Sequence, residues 1–270
     1  LLADGMITPA ISVASAIEGL EKIEGLGHIP VVPIVIGVIS IVFFVQRFGT
    51  HKVGRAFGPI MTLWFSILLI IGLYQLLQSP EVIKALNPVY AYQLLTHYPQ
   101  GFWILGAVFL CTTGAEALYS DLGHCGKSNI RVSWIFVKSM LLLNYFGQGA
   151  WLISHEGQTL ESIGVINPFY AIMPEWFLPF GIGLATLAAV VASQAMISGS
   201  FTLINEAIRL NFWPKVKIKY PTELKGQLYI PSLNWMLWGG CVMVVLYFRE
   251  SSEMEAAYGL AIVMTMLMTT

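Results

Sequence analysis

Residues 179–205 read PFGIGLATLAAVVASQAMISGSFTLIN, and not one of them is charged. A helix rises about 1.5 Å per residue, so ~20 such residues cross the ~30 Å hydrocarbon core of a bilayer. Residues 30–46 and 57–77 carry no charge either. The chain has 270 residues, of which 56% are hydrophobic and 11% charged. Soluble domains carry about 25% charged residues, so an ordinary water-soluble fold is excluded. The fold class expected is all-α and integral to a membrane. Cys111 and Cys241 lie inside apolar runs and Cys125 stands alone in a loop, with no pairing or metal spacing, so all three read as free thiols. A net charge of −1 averages over two membrane faces and points to no partner.

Outward from that stretch, eight helical spans are expected, over about 5–22, 30–46, 56–77, 102–120, 133–153, 179–204, 233–248 and 256–270. The connections supply a topology. Loop 47–55 holds Arg47, Lys52 and Arg55. Loop 121–132 holds Lys127 and Arg131, with Lys138 just inside the next span. Loop 209–230 holds Arg209, Lys215, Lys217, Lys219 and Lys225. The alternate connections hold only Lys22, Lys84 and Arg249. The excess of basic residues marks 47–55, 121–132 and 209–230 as cytoplasmic. The outer loops 78–101 and 154–178 are rich in proline and aromatics, as in Asn87-Pro88-Val89-Tyr90 and Asn167-Pro168-Phe169-Tyr170. The whole of 1–270 is read as one transmembrane domain. The chain opens on Leu1 rather than Met and stops at Thr270 inside an apolar run, so it is read as an internal piece truncated at both ends.

Charge inside these spans is sparse, and its position is informative. Asp4, Thr8, Ser12, Ser15 and Glu18 fall within roughly a third of one helix face at about 100° per residue. A carboxylate in hydrocarbon costs on the order of 2.5–3.5 kcal/mol on insertion scales, and is kept where it meets a cavity, an ion or a partner charge. A second constellation runs from Cys111 to Asp121. There Thr112, Glu116 and Tyr119 share a face, Thr113 and Ser120 flank it, and Gly114 marks a place where the helix can open. Carboxylate, hydroxyl and carbonyl oxygens with few net charges suit a potassium ion. Each residue also has a structural reading. Glu116 is then a buried acid, neutral or paired with Lys138; Asp4 lies in water at a helix end; Glu18 is a solvated surface acid; Ser12 and Ser15 serve packing. Asn144, Gln148 and Gln194 read as interhelical glue. Glu206 and Arg209 read as an ordinary i, i+3 pair. The basic run 215–225 reads as topology and lipid contact rather than nucleic-acid binding. No P-loop, nucleophile elbow or HExxH sequence is present, so neither an enzyme nor a cofactor is expected.

At these residues the chain resembles the KUP/HAK/KT potassium uptake permeases. Ile7-Thr8-Pro9-Ala10-Ile11-Ser12 with Ser15-Ala16-Ile17-Glu18-Gly19-Leu20 is similar to that family's third-helix motif. The run from Thr113 to Gly126 is similar to its sixth-helix motif, and Ala192 to Gly199 and Gly226 to Pro231 resemble two more. The resemblance covers essentially the whole chain. It implies the leucine-transporter-like inverted repeat of the amino acid–polyamine–cation superfamily, with helices three to ten present here. It implies potassium uptake across the cytoplasmic membrane by secondary transport with a proton. Asp4, Thr8, Thr113, Glu116 and Tyr119 would line the potassium site, and Glu18 and Glu116 would couple proton to potassium. Potassium, proton and membrane lipid are the implied partners, with a homodimer also considered. The family's first-helix Gly-Asp-Ile-Gly-Thr-Ser-Pro-Leu-Tyr motif and its cytoplasmic C-terminal region are absent, so this piece alone is not expected to transport. Cys125 and Tyr220-Pro221-Thr222 depart from the family at loop positions. The alternatives weighed are an organic-substrate permease on the same fold and a potassium channel; no filter-like run of carbonyl donors favours the channel.

Overall fold

A computed structural model describes residues 2–23, 30–48, 51–99, 101–111, 126–160, 162–163, 167–220 and 228–269. Its helices, in chain order, are α1 (Asp4–Glu18), α2 (Val31–Val45), α3 (His51–Gln78), α4 (Pro88–His97) and α5 (Gly101–Cys111), followed by α6 (Lys127–Ser154), α7 (Pro168–Ala171), α8 (Leu178–Arg209), α9 (Pro231–Phe248) and α10 (Ser251–Thr269). The only strand-like pairing among the described residues is an isolated bridge between Lys219 and Tyr229. The fold is all-α. Among the described residues, four segments are long and apolar enough to cross a membrane: Val31–Phe48, Ala56–Gln78, Leu178–Arg209 and Pro231–Phe248. Large apolar side chains such as Ile70, Leu77 and Met243 stand 64%, 73% and 68% exposed, as they do when the outer medium is lipid.

Within the described residues the expected spans fall on helices, that over 102–120 being described only as far as Cys111, and several helices run further than expected. Helix α6 starts at Lys127 rather than 133, and α3 at His51 rather than 56. Hydropathy marks where a helix leaves the apolar slab, whereas its backbone ladder continues into the interface. The outer loops hold more structure than expected. In both, an extended Asn precedes a Pro at the first helical position: the Asn87 side chain accepts from the Val89 N–H at 3.1 Å, and that of Asn167 from the Phe169 N–H at 2.9 Å. Asparagine as N-cap and proline at N1 together start a helix. The pair opens α4 in one loop and the short α7 in the other.

The chain divides into two compact units. The first comprises Leu1–Met61, Gly114–Gly126 and Pro179–Thr270. Its core includes Val13, Ile17, Ile39, Phe43, Ile197, Phe201, Leu237 and Val245, all buried. Interhelical hydrogen bonds give the helix directions. Gln194 Nε2 donates to the Val42 carbonyl and Gln46 Nε2 to Ser198 Oγ, so α2 and α8 run parallel in register. Trp238 Nε1 donates to Ser40 Oγ at 3.0 Å and Asn234 Nδ2 to the Phe43 carbonyl at 3.2 Å, so α2 and α9 run antiparallel. These directions agree with the alternation read from the basic residues. The expected gluing role of Gln194 is also seen: it and Asn234 donate across to carbonyls of the last turn of α2, that of Val42 also accepting from the Gln46 N–H of its own helix. At that end the Arg47 guanidinium lies 3.9 Å from the Phe44 ring centroid and 4.5 Å from that of Phe48.

The second unit comprises Thr62–Thr113 and Lys127–Leu178. Here α3 and α6 run parallel, with Phe65 on Phe136 and Gly72 on Asn144 and Gly147. The two backbones touch at glycine. A Cβ added at Gly72 would lie 2.6 Å from Asn144 Cα, and one at Gly147 would lie 2.5 Å from Gly72 Cα. Small residues permit such crossings in lipid, where dispersion rather than water exclusion drives helix association. Lys138 lies 4.3 Å above the Trp134 ring.

Candidate cation site

Helix α1 carries an acid at Asp4. Asp4 is 2% exposed, so the reading that placed it in water at a helix end does not hold. Thr8, one turn on, donates its hydroxyl to Asp4 Oδ1 at 2.5 Å. The i, i+4 spacing therefore delivers what the sequence promised, a carboxyl and a hydroxyl side by side. Pro9 lies inside the helix and has no N–H. The carbonyl of Gly5, four residues before it, thus loses its helical donor. The Cys241 thiol donates to that carbonyl at 4.0 Å, a weak and distant contact. Carboxyl, hydroxyl and freed carbonyl oxygens are grouped within one turn.

Two neighbouring helices close this turn. Gly5 is buried against Ser200 of α8 and Leu237 of α9: a Cβ there would lie 2.7 Å from Ser200 Oγ and 3.7 Å from Leu237 Cδ2. Met6 lies over Gly240 of α9. The turn therefore presents oxygens from Asp4, Gly5 and Thr8 and packs against Ser200, Leu237 and Gly240. The carboxyl, hydroxyl and carbonyl are hard oxygen donors, which suit alkali and alkaline-earth cations better than transition metals, although the Cys241 and Met6 sulfurs lie close by.

Glu18 lies elsewhere. Fourteen residues at 1.5 Å per residue put it about 21 Å along the helix from Asp4. Its carboxylate accepts from Ser251 N at 2.7 Å and from Ser251 Oγ at 2.5 Å. Ser251 opens α10, so Glu18 acts as a cap supplied by another helix. It is half-buried, not the solvated surface acid of its structural reading. Beyond the end of α1, Glu21 is held above its ordinary carboxyl value by partial burial, then by the charges of Glu18 and Glu250. Glu18, Glu21, Glu250 and Ser251 therefore share one end of this unit. At the other end, burial raises the Tyr229 phenol while the Arg47 charge pulls it down, which puts Arg47 and Tyr229 on one side of the unit. Ser12 and Ser15 are half-buried between the two ends. Glu206 and Arg209 form the expected exposed pair at 3.1 Å. Thr113, Glu116 and Tyr119, with Thr112, Asp121, His124 and Cys125, lie outside the described residues.

Sequence reasoning missed the Gly5 carbonyl and the neighbouring Ser200. The first had a signal, a proline four residues downstream. The second had none, since a serine among small residues reads as packing.

Compared with known proteins, the whole chain, residues 1–270, matches the family described as "K+ potassium transporter integral membrane domain". Among curated relatives, a "Probable potassium transport system protein Kup" from Flavobacterium psychrophilum is 65% identical over 272 residues, covering 100% of this chain and 41% of the relative. Proteins of the same name from Cytophaga hutchinsonii and Clostridium perfringens are 61% and 51% identical, covering 100% of this chain and 41% and 42% of themselves. The chain thus spans about two-fifths of the length of the curated relatives it matches. No solved structure matches it significantly. With its apolar helices the chain is part of a multi-pass protein of the cell membrane. It belongs to the potassium transporter integral membrane family.

Proposed function

We propose that this chain is the part of a potassium uptake transporter that carries helices three to ten of a leucine-transporter-like inverted repeat. The observation that carries the reading is the bond from half-buried Thr8 to buried Asp4, beside the Pro9-freed carbonyl of Gly5. The names of the relatives, all potassium transport system proteins, support potassium as the ion. In this reading Asp4 and Thr8, with Thr113, Glu116 and Tyr119, hold the dehydrated ion near mid-membrane. One carboxylate supplies net charge and neutral oxygens replace water. At an effective dielectric of ~20, a carboxylate about 2.8 Å from the ion attracts it by about 6 kcal/mol before desolvation is counted. Potassium enters with a proton, and loops 47–55, 121–132 and 209–230 face the cytoplasm.

Proton coupling belongs to Glu116 and Glu18. For Glu18 the chemistry is concrete. Both of its oxygens accept from Ser251, and protonation removes the charge that favours those bonds. The outer end of α1 is then released from α10, a local change that suits alternating access.

The complete transporter, expressed in a bacterium stripped of its own potassium uptake systems, tests the reading through rubidium entry at limiting concentration. At matched membrane expression, Asp4→Asn is expected to lower apparent affinity on the order of 100-fold, ~2.7 kcal/mol. Thr8→Val is expected to lower it about tenfold. Uptake indifferent to Asp4→Asn would sink the site.

A further inference from the structure

Hydroxyls on α8 mostly bond back to their own helix. Thr186 donates to the Ile182 carbonyl at 2.9 Å, Ser193 to that of Ala189 at 2.7 Å and Thr202 to that of Ser198 at 3.1 Å. This is the ordinary resting place of a serine or threonine in a membrane helix. Ser200 departs from it. Its side chain is 0% exposed and its Oγ has no hydrogen-bond partner among the described residues. A buried polar atom without a partner is costly, and costlier where no water reaches it. The neighbour it faces is the first turn of α1. A Cβ at Gly5 would lie 2.7 Å from Ser200 Oγ, so only glycine leaves the hydroxyl an open approach to that turn.

We propose that Ser200 Oγ is a ligand of the transported cation, supplied by α8 to the site that α1 builds from Asp4, the Gly5 carbonyl and Thr8. The assignment rests on the reading of Asp4 and Thr8 as the potassium site. The chemistry fits. A hydroxyl oxygen has two lone pairs and takes a cation directly. It adds a coordination bond without adding charge, which keeps the ion bound firmly enough to lose water and weakly enough to leave. It also gives the orphaned oxygen its missing partner. Because the ligand comes from a different helix than Asp4, any sliding of α8 against α1 changes the ion's coordination number. Gly5 is then a clearance position: Gly5→Ala is expected to mimic loss of the hydroxyl.

The test uses the complete transporter in an uptake-deficient bacterium, with rubidium and thallous ion as the probe cations and membrane expression matched. Ser200→Ala is expected to raise the apparent KM for rubidium about 5- to 20-fold with maximal rate within about twofold. Ser200→Cys replaces a hard oxygen by a soft sulfur, so it is expected to shift the thallous-to-rubidium rate ratio at least about fivefold toward thallous ion. That ratio is internal to whatever protein reaches the membrane, so poor expression does not mimic it. A packing serine predicts the opposite: an unchanged KM, an unchanged ratio and a higher unfolding temperature in Ser200→Ala. That result, with Asp4→Asn still disabling uptake, overturns the ligand assignment and leaves the site reading standing. If Asp4→Asn is also silent, the site reading itself has failed and the assignment falls with it.

Discussion

Removing the Glu18 carboxylate should loosen the start of α10, some 233 residues away in sequence. Ser251 is the first residue of α10, so its N–H has no acceptor within its own helix. Its protection comes from Glu18 Oε1 at 2.7 Å, and its hydroxyl donates to Glu18 Oε2 at 2.5 Å. Hydrogen bonds to a charged acceptor contribute about 1.5–3 kcal/mol when buried, and N-caps about 0.5–2 kcal/mol. Glu18 is half-buried, so the lower part of these ranges applies, about 1.4 kcal/mol in all. That is a tenfold change in the equilibrium for local opening. Hydrogen exchange by mass spectrometry on the complete protein in nanodiscs reads it directly. In Glu18→Ala, peptides covering residues 250–256 should exchange about tenfold faster, while peptides from α6 in the other unit stay unchanged. Glu18→Gln keeps one acceptor oxygen and should give about threefold. Unchanged exchange over 250–256 in Glu18→Ala would refute the capping role, and with it the route by which protonation of Glu18 releases α1.

The contact between α3 and α6 tolerates no side chain at its centre. Gly72→Ala forces a Cβ to 2.6 Å from Asn144 Cα, so the helices must part, at about 1–3 kcal/mol. A lower unfolding temperature in detergent, matched by Gly147→Ala and less than additive with it, checks this. Asn87→Ala and Asn167→Ala each remove an N-cap and should cost about 1 kcal/mol, with Ser nearly neutral at both, read by exchange rates at residues 89 and 169. Topology is checked in a chain freed of Cys111, Cys125 and Cys241. Lys22→Cys and Arg249→Cys should react with an impermeant maleimide on intact cells. Lys215→Cys and Lys217→Cys should react only after permeabilisation, and a reversed pattern would overturn the assigned sidedness.

Much of the architecture was legible because it depends on local quantities. Charge-free runs decide that a segment leaves water, and the three at 30–46, 57–77 and 179–205 reappear in α2, α3 and α8. The basic residues of alternate connections set directions that the Gln194–Val42 and Asn234–Phe43 bonds bear out within one unit. What the hydropathy reading clipped were helix ends, since Lys127 and Arg131 ride on the first turns of α6 while standing outside the apolar slab. The helices within the outer loops were open to reading too, because Asn-Pro is a start signal wherever it stands.

Within the site, the sequence by itself determined that Asp4 and Thr8 meet, because an i, i+4 pair is joined by helix geometry alone. It also determined that Pro9 frees the Gly5 carbonyl, because the missing N–H is covalent fact. It set Glu18 on the same face but said nothing of what stands opposite. Tertiary structure decided that Asp4 is buried, that Glu18 caps α10, and that Ser200 turns its hydroxyl toward Gly5 rather than to its own helix. The physical reason is range. Periodicity and hydropathy act over a few residues, whereas the partner of a buried oxygen depends on which helices touch, at what depth and in which direction. That is a property of the packed bundle and of no single segment.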